Sequence, residues 1–179
     1  IPSSNDIVPV RNQVLEIDSA NSTVTGDVDA IESGGNYNIF LGEDAGKSIT
    51  TGDRNIAIGY DAYDAADGAE SDNIAIGYDA LGNLNDDGAV KNIAIGSNAA
   101  DGMGTLGASI QNIFIGYDAG GGTWATAVSS GNVGVGTYVM DAAMNGALNN
   151  TAMGESAMSA LTEGDFNTAI GSDSANDLT

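Results

Sequence analysis

The pentapeptide Asn-Ile-Ala-Ile-Gly at residues 55–59 recurs, with small changes, along most of this 179-residue chain. Eight copies begin at asparagines that are 17, 18, 19, 20, 20, 18 and 17 positions apart, and each copy ends in glycine. These asparagines are Asn38, Asn55, Asn73, Asn92, Asn112, Asn132, Asn150 and Asn167. A nearly fixed period close to twenty residues is typical of a solenoid, a stack of similar coils.

Each pentapeptide has the pattern of a short β-strand. Alternation places Ile56 and Ile58 on one face and Ala57 on the other, and Gly59 suits the corner at which the strand ends. Copies stacked roughly 4.8 Å apart would form a parallel ladder, and we expect the isoleucines to fill its interior. The sequence therefore predicts an all-β fold over residues 34–179, a parallel β-solenoid (β-roll or β-helix) of about eight coils.

A second column of small apolar residues lies three positions after seven of the eight pentapeptide glycines. Its members are Ala45, Ala62, Ala80, Ala99, Ala119, Val139 and Ala157. We expect this column to face inward as well. The segments that follow it vary in length and composition, as solenoid insertions on an outward face do.

Composition narrows the classes of function. The chain has no cysteine and no histidine, which excludes disulfides, imidazole metal sites and histidine-dependent triads. With 25 acidic and 4 basic residues, its net charge of −21 disfavours nucleic acid and anionic membranes as partners. No apolar run reaches the roughly 18 residues that membrane insertion requires. These features suit an exterior rich in salt or divalent cations.

Residues 1–33 lack the repeat and form a separate N-terminal arm. Apolar stretches at 7–10 and 14–17 indicate short strands, although Pro9 argues against a central one. Two interpretations stay open: the arm caps the first coil, or it contacts a neighbouring subunit.

Three repeated positions are candidate sites. We expect the eight asparagines to form an internal amide ladder that satisfies backbone groups. Tyr60, Tyr78 and Tyr117, each one residue past a glycine, suit an intersubunit interface better than a receptor contact. The next position is mostly aspartate, so either water and salt or bridging cations must relieve the repulsion along the column.

Two acidic loops are candidate calcium sites. Asn83, Asn85 and Asp87 resemble the start of an EF-hand loop, but Ala94 stands where that loop requires glutamate. The second loop contains Asp61, Asp64 and Asp67. A solvated acidic turn is the alternative at both, so Ca²⁺ is a possible ligand and no cofactor is required.

Trp124, the only tryptophan, lies in the longest insertion after three glycines. It is a candidate receptor contact, because exposed tryptophan anchors sugars and proteins well. Covering a gap at the edge of the coil is the alternative.

Glycosidase chemistry needs two carboxyl groups at a fixed separation, one of them in an apolar pocket. The sequence shows no aromatic-rich cleft for it, so we predict no catalytic residues.

The phrases NIAIGYDAL at 73–81 and EGDFNTAIGSDSA at 163–175 resemble known repeats. They are similar to the head repeats of YadA-like trimeric autotransporter adhesins, and to NTAIG-rich repeats of phage tail fibres and large surface proteins. The resemblance covers residues 34–179. It implies an intertwined or side-by-side homotrimer, non-enzymatic and extracellular on a virion or cell surface, that attaches to a host glycan or protein receptor.

The sequence thus predicts a structural fibre segment that displays variable loops. The main alternative is a secreted filament subunit that polymerises end to end through residues 1–33. A calcium-binding or ice-binding surface module is a further alternative.

Overall fold

The computed structural model describes residues 35–104, 109–124 and 127–178, so the predicted arm at 1–33 lies outside the described residues. Eight strands follow in chain order: β1 (Ile39–Leu41), β2 (Ile56–Ile58), β3 (Ile74–Ile76), β4 (Ile93–Ile95), β5 (Ile113–Ile115), β6 (Val133–Val135), β7 (Thr151–Met153) and β8 (Thr168–Ile170). Each pairs in parallel with the next to form one sheet. The predicted parallel β-solenoid is confirmed, with eight strands and about seven turns.

The strands stack in register with the repeat. Ile56 lies beside Ile74 and Ala57 beside Ala75, and the same pairing continues from β1 to β8. Backbone hydrogen bonds connect the rungs outside the strands too, as where the amide of Gly77 donates to the carbonyl of Ile58 at 2.8 Å. Each coil is therefore held chiefly by its two neighbours.

The interior of the coil is lined by the middle residue of each strand, and our expectation that isoleucines fill it is wrong. Ala57, Ala75 and Ala94 are fully buried, whereas Ile56 and Ile58 are half-buried on the outer side. The reason is the narrow cross-section of the coil, in which side chains from the opposite walls approach the sheet closely. A column of branched side chains does not fit there.

Three further columns complete the core. The predicted column of small residues after the glycines is buried at all seven positions, which confirms that part of the interpretation. The residue after it also points inward, as Tyr63, Leu81, Ala100, Met140 and Met158 do. The third column consists of Ile49, Ala66, Leu84, Met103, Trp124, Met144 and Leu161.

The size of the side chain at the strand centre is related to the size of the side chain six residues later in the same coil. Phe114 stands at the centre of β5, and Gly120 lies against it, where a Cβ atom would be 2.8 Å from the ring. Phe40 and Gly46 form an equivalent pair, with a corresponding distance of 2.7 Å. Where the centre is small, as at Ala75, the later position often holds a large residue such as Leu81, whereas Ala94 is followed there by Ala100.

We expect Gly134→Ala to destabilise the protein by about 1–3 kcal/mol through overpacking. Gly134 is the centre of β6, and a Cβ atom there would be 2.8 Å from the Phe114 ring and 3.1 Å from Val139. Chemical denaturation measures the effect. Combining it with Phe114→Leu should cost less than the sum of the single changes, because the ring is the obstacle. Strict additivity would contradict the proposed contact.

The asparagines that open the pentapeptides form a ladder along the stack. The side-chain oxygen of Asn112 accepts a hydrogen bond from the backbone amide of Asn132 at 3.0 Å. Its side-chain nitrogen donates to the carbonyl of Ser129 at 2.9 Å and to the side-chain oxygen of Asn92 at 3.2 Å. The same hydrogen bond, from a backbone amide to the side-chain oxygen of the preceding asparagine, is donated by Asn55, Asn73, Asn92, Asn112, Asn132, Asn150 and Asn167. The ladder satisfies polar groups that the corner would otherwise bury unpaired.

Candidate functional site

The outward face of the sheet is a continuous uncharged surface, which we call the aliphatic face. It consists of the first and third residues of each strand: Ile39, Leu41, Ile56, Ile58, Ile74, Ile76, Ile93, Ile95, Ile113, Ile115, Val133, Val135, Thr151, Met153, Thr168 and Ile170. None of the chain's 25 acidic residues stands at these positions. A contiguous apolar surface of this kind marks an interaction site more often than it marks free surface.

The side chains of the aliphatic face cover one another only in part. Those in the middle of the stack are half-buried, because each packs against its copies on the rungs above and below. Exposure rises to 50% at Met153 and 71% at Ile170. Sequence reasoning missed this face because it assigned the same residues to the interior.

Tyrosines recur two residues after the ends of three strands, as Tyr60, Tyr78 and Tyr117, and form a column along the stack. Tyr60 and Tyr78 are about half exposed, and their rings stack nearly parallel, with centroids 5.7 Å apart and an interplanar angle of 6°. Tyr117 meets Tyr138 edge to face, at 5.4 Å and 88°. The column is accessible in the single chain, as the interpretation of these tyrosines as contact residues requires.

The aspartate column has a conformational explanation. Asp44, Asp61, Asp79, Asp118 and Asp173 all have a left-handed backbone, with φ between 52° and 60°. Asparagine and aspartate tolerate this region better than most residues, because their short polar side chains can bond locally. Their recurrence therefore follows from the corner of the coil without requiring a ligand.

The calcium loop at Asp61, Asp64 and Asp67 is occupied in part by a side chain of the protein. The ammonium group of Lys47 lies 3.1 Å from Asp64, 3.7 Å from Asp61 and 3.2 Å from Asp44. A hydrogen bond to Asp64, and then one to Asp44, raise the pKa of Lys47. Because Lys47 is 44% exposed, this cluster adds little to stability.

The other predicted calcium loop does not converge on a common point. The Asn83 side chain donates to the carbonyl of Asp101 on the following coil at 2.8 Å, whereas Asp87 accepts from the amide of Ala69 on the preceding coil at 2.9 Å. Within residues 35–104, 109–124 and 127–178, no group of three or more acidic side chains is arranged to hold a metal ion.

Trp124 is buried, so it is not the exposed receptor contact that its place in a loop suggested. It is only 7% exposed, its ring packs edge to face on Phe114 at 5.9 Å, and its indole N–H donates to the carbonyl of Gly120 at 3.0 Å. Gly120, four residues before it, lies against the same Phe114 ring, where a Cβ atom would not fit. The alternative interpretation, in which Trp124 covers the edge of the coil, agrees with this position.

Two buried carboxyl groups escaped sequence reasoning. Glu70 is fully buried: one side-chain oxygen accepts from the amide of Gly68 at 3.0 Å, and the other has no partner in the part of the chain that the structure describes. Desolvation, and then the nearby charges of Asp87 and Asp67, raise its pKa. Asp101 also has one buried oxygen without a partner among the described residues, and desolvation raises its pKa to about 6. Glu70 has no acidic counterpart in the other copies, whereas Asp64 and Asp141 stand at the position of Asp101, five residues after the pentapeptide glycine.

We expect stability to rise as the pH falls from 7 to 5. The folded-state pKa of Asp101, about 6, lies above the usual range of an aspartate. The stabilisation of the folded state by the protonated carboxyl group is therefore fully present at low pH and is lost as the pH rises through 6. Glu70, Asp79 and Asp141 have raised pKa values and act in the same direction. Arg54 lowers the pKa of Asp72, whose contribution is lost only below this window.

Asp101→Asn separates this effect from general charge repulsion. The variant should be more stable than the wild type at pH 7 and should show a weaker pH dependence of the melting temperature. Glu155→Gln, at an exposed position, removes the same charge and serves as the control. Equal pH profiles for both variants would contradict the assignment.

Comparison of the chain with protein-family models, with curated proteins and with solved structures finds no match. Within the described residues, no helix has the length and apolar character needed to cross a bilayer.

Proposed function

We propose that this chain is a non-enzymatic segment of an extracellular fibre that assembles as a homotrimer through the aliphatic face. In this proposal the fibre belongs to a virion or a cell surface. The stack serves as a stiff spacer, and its variable loops attach to a glycan or protein receptor. The observation that carries the proposal is the absence of charge from an apolar face that runs through all eight strands.

The size and chemistry of the aliphatic face support self-association. Eight rungs spaced about 4.8 Å apart, with two outward residues each, give a surface of roughly 400 Å². Patches of this size on monomers are often functional. Interface cores are depleted of charged residues. Although the chain has a net charge of −21, two copies can meet through the aliphatic face without placing carboxylates against each other. The number of copies, three, comes from the resemblance of the repeats to trimeric surface proteins.

The rest of the coil supports a mechanical role. Every rung is tied to the next by strand pairing, by the asparagine ladder and by backbone bonds at the corners. In such a stack each coil contacts only its neighbours, so length can change without a change in design. The insertions between strands, such as 83–91, leave the strand register unchanged.

Light scattering on the full chain tests the assembly. We expect a mass of three chains for the wild type and a mass of one chain for Ile76→Glu, because the introduced carboxylate would be buried against a neighbour. Ala69→Glu adds the same charge at an exposed position away from the sheet and should leave the trimer intact.

Other outcomes of this experiment identify the alternatives. A monomeric wild type at high concentration would refute the trimer. Long polymers that disappear when residues 1–33 are removed would instead support the filament subunit.

A further inference from the structure

Tyr60 and Tyr78 form a ring pair that differs from every other tyrosine contact in the described residues. Both rings are about half exposed, and they lie almost parallel, 5.7 Å apart with 6° between their planes. Among the six tyrosines of the chain, Tyr63 is fully buried and bonded to Asn73, and Tyr117 and Tyr138 are perpendicular. Tyr60 and Tyr78 thus combine solvent access with facing π systems.

The backbone holds this pair in place. Tyr60 and Tyr78 occupy equivalent positions on neighbouring coils, two residues beyond β2 and β3, which pair in register. The amide of Asp79 donates to the carbonyl of Tyr60 at 3.0 Å, immediately beside the rings. The repeat therefore places the two residues side by side on neighbouring coils, which is the arrangement that lets their rings stack.

We propose that Tyr60 and Tyr78 are a site of oxidative cross-linking, at which they form a dityrosine between coils. The co-reactant is a peroxide acting through a peroxidase-type one-electron oxidant. Each phenol loses one electron and its hydroxyl proton, and the two phenoxyl radicals join through a carbon–carbon bond between ring positions ortho to the hydroxyl groups. The ring hydrogens at these positions then move to the oxygens. Two electrons and two protons in total reduce one hydrogen peroxide to two waters.

The geometry favours this pair over the perpendicular pair. A bond between two phenoxyl rings forms from orbitals that project above and below the ring planes. Parallel rings direct these orbitals at one another, whereas at 88° the Tyr117 and Tyr138 orbitals do not face each other. The second pair is thus a control within the same molecule, at a similar centroid distance of 5.4 Å.

The link would act as a covalent staple between coils in a chain that has no cysteine. A cross-link that closes a loop restricts the unfolded state, as a disulfide does. Because each coil is stabilised mainly by its neighbours, a link across one interface opposes separation of the two coils it joins. The link is within one chain, so this inference holds whether or not the chain forms a trimer.

The experiment treats the folded full-length chain with peroxidase and hydrogen peroxide. Cleavage before aspartate separates the two tyrosines into peptides 53–60 and 72–78. Mass spectrometry should find these peptides joined, with the loss of two hydrogens, together with dityrosine fluorescence. The product should be absent from Tyr60→Phe, which keeps the stacked ring, and present in Tyr117→Phe.

A second readout is the rate of unfolding. The oxidised wild type should unfold roughly tenfold more slowly than oxidised Tyr60→Phe. Equal yields of the 60–78 and 117–138 links, equal yields in chemically unfolded protein, or links that join separate chains would each overturn the proposal.

Discussion

Replacing Gly77 by alanine is expected to destabilise the solenoid by about 3–5 kcal/mol, a large part of the stability of an ordinary domain. Gly77 has φ of +139°, a conformation that residues with a Cβ atom rarely adopt. A Cβ atom there would also overlap the carbonyl group of Gly96 on the following coil. Backbone strain and overlap with main-chain atoms therefore add, and neither can be relieved by a side-chain rotation. Denaturant unfolding followed by circular dichroism measures the loss.

Gly104→Ala is the matched control. Among the residues that the structure describes, the nearest atom to a Cβ there is 4.0 Å away, and the backbone of Gly104 is outside the left-handed region. We expect its stability to stay within about 0.5 kcal/mol of the wild type. Similar losses for Gly77→Ala and Gly104→Ala would show that the corner glycines do not maintain close contact between the coils.

The second large effect is expected for Asn112→Asp, which keeps the shape of the side chain but replaces its donor with a carboxylate oxygen. Asn112 is fully buried, and its nitrogen donates to Ser129 and Asn92. The variant would place a buried negative charge against two acceptor oxygens, at a cost of about 3–5 kcal/mol at pH 7. The loss should shrink at pH 5, because burial raises the pKa of the new carboxyl group and its protonated form can donate to Ser129.

The control for Asn112→Asp is Asn149→Asp, which introduces the same charge at an exposed position of left-handed backbone. It should change stability only slightly at either pH. If Asn112→Asp were equally mild, the side-chain ladder would be of no energetic importance, and strand pairing alone would hold the rungs.

The stacking of the coils could be predicted from the sequence because it depends on a repeated local pattern. A pentapeptide with two-residue alternation and a closing glycine can only repeat as a short strand and a corner. The parallel register of β2 and β3 then follows from the equivalence of Ile56 and Ile74.

Which face of the strand points inward could not be derived from alternation alone. Alternation shows that Ile56 and Ala57 lie on opposite sides, but it contains no measure of the width of the coil. A signal was present six residues later: Phe40 and Phe114 are each followed there by glycine. That compensation shows that the strand centre packs across the interior.

The candidate sites were harder to predict because they depend on neighbours from other coils. Lys47 meets Asp64 only after the first two coils stack, and the burial of Trp124 depends on space above Phe114. The recurring aspartates one position after the tyrosine column, such as Asp61 and Asp79, have a left-handed backbone, which the pattern of the pentapeptide does not reveal.

The central claim is that the rungs stack with alanine inward and isoleucine outward. Methyl nuclear Overhauser effects measure this directly, in a monomer or an oligomer. We predict contacts from the Ala75 methyl group to those of Ala57 and Ala94, and none from the Ile76 methyl groups to that of Ala80, which is buried inside the coil. Contacts between Ile76 and Ala80, with no link between the alanines of successive strands, would contradict the account.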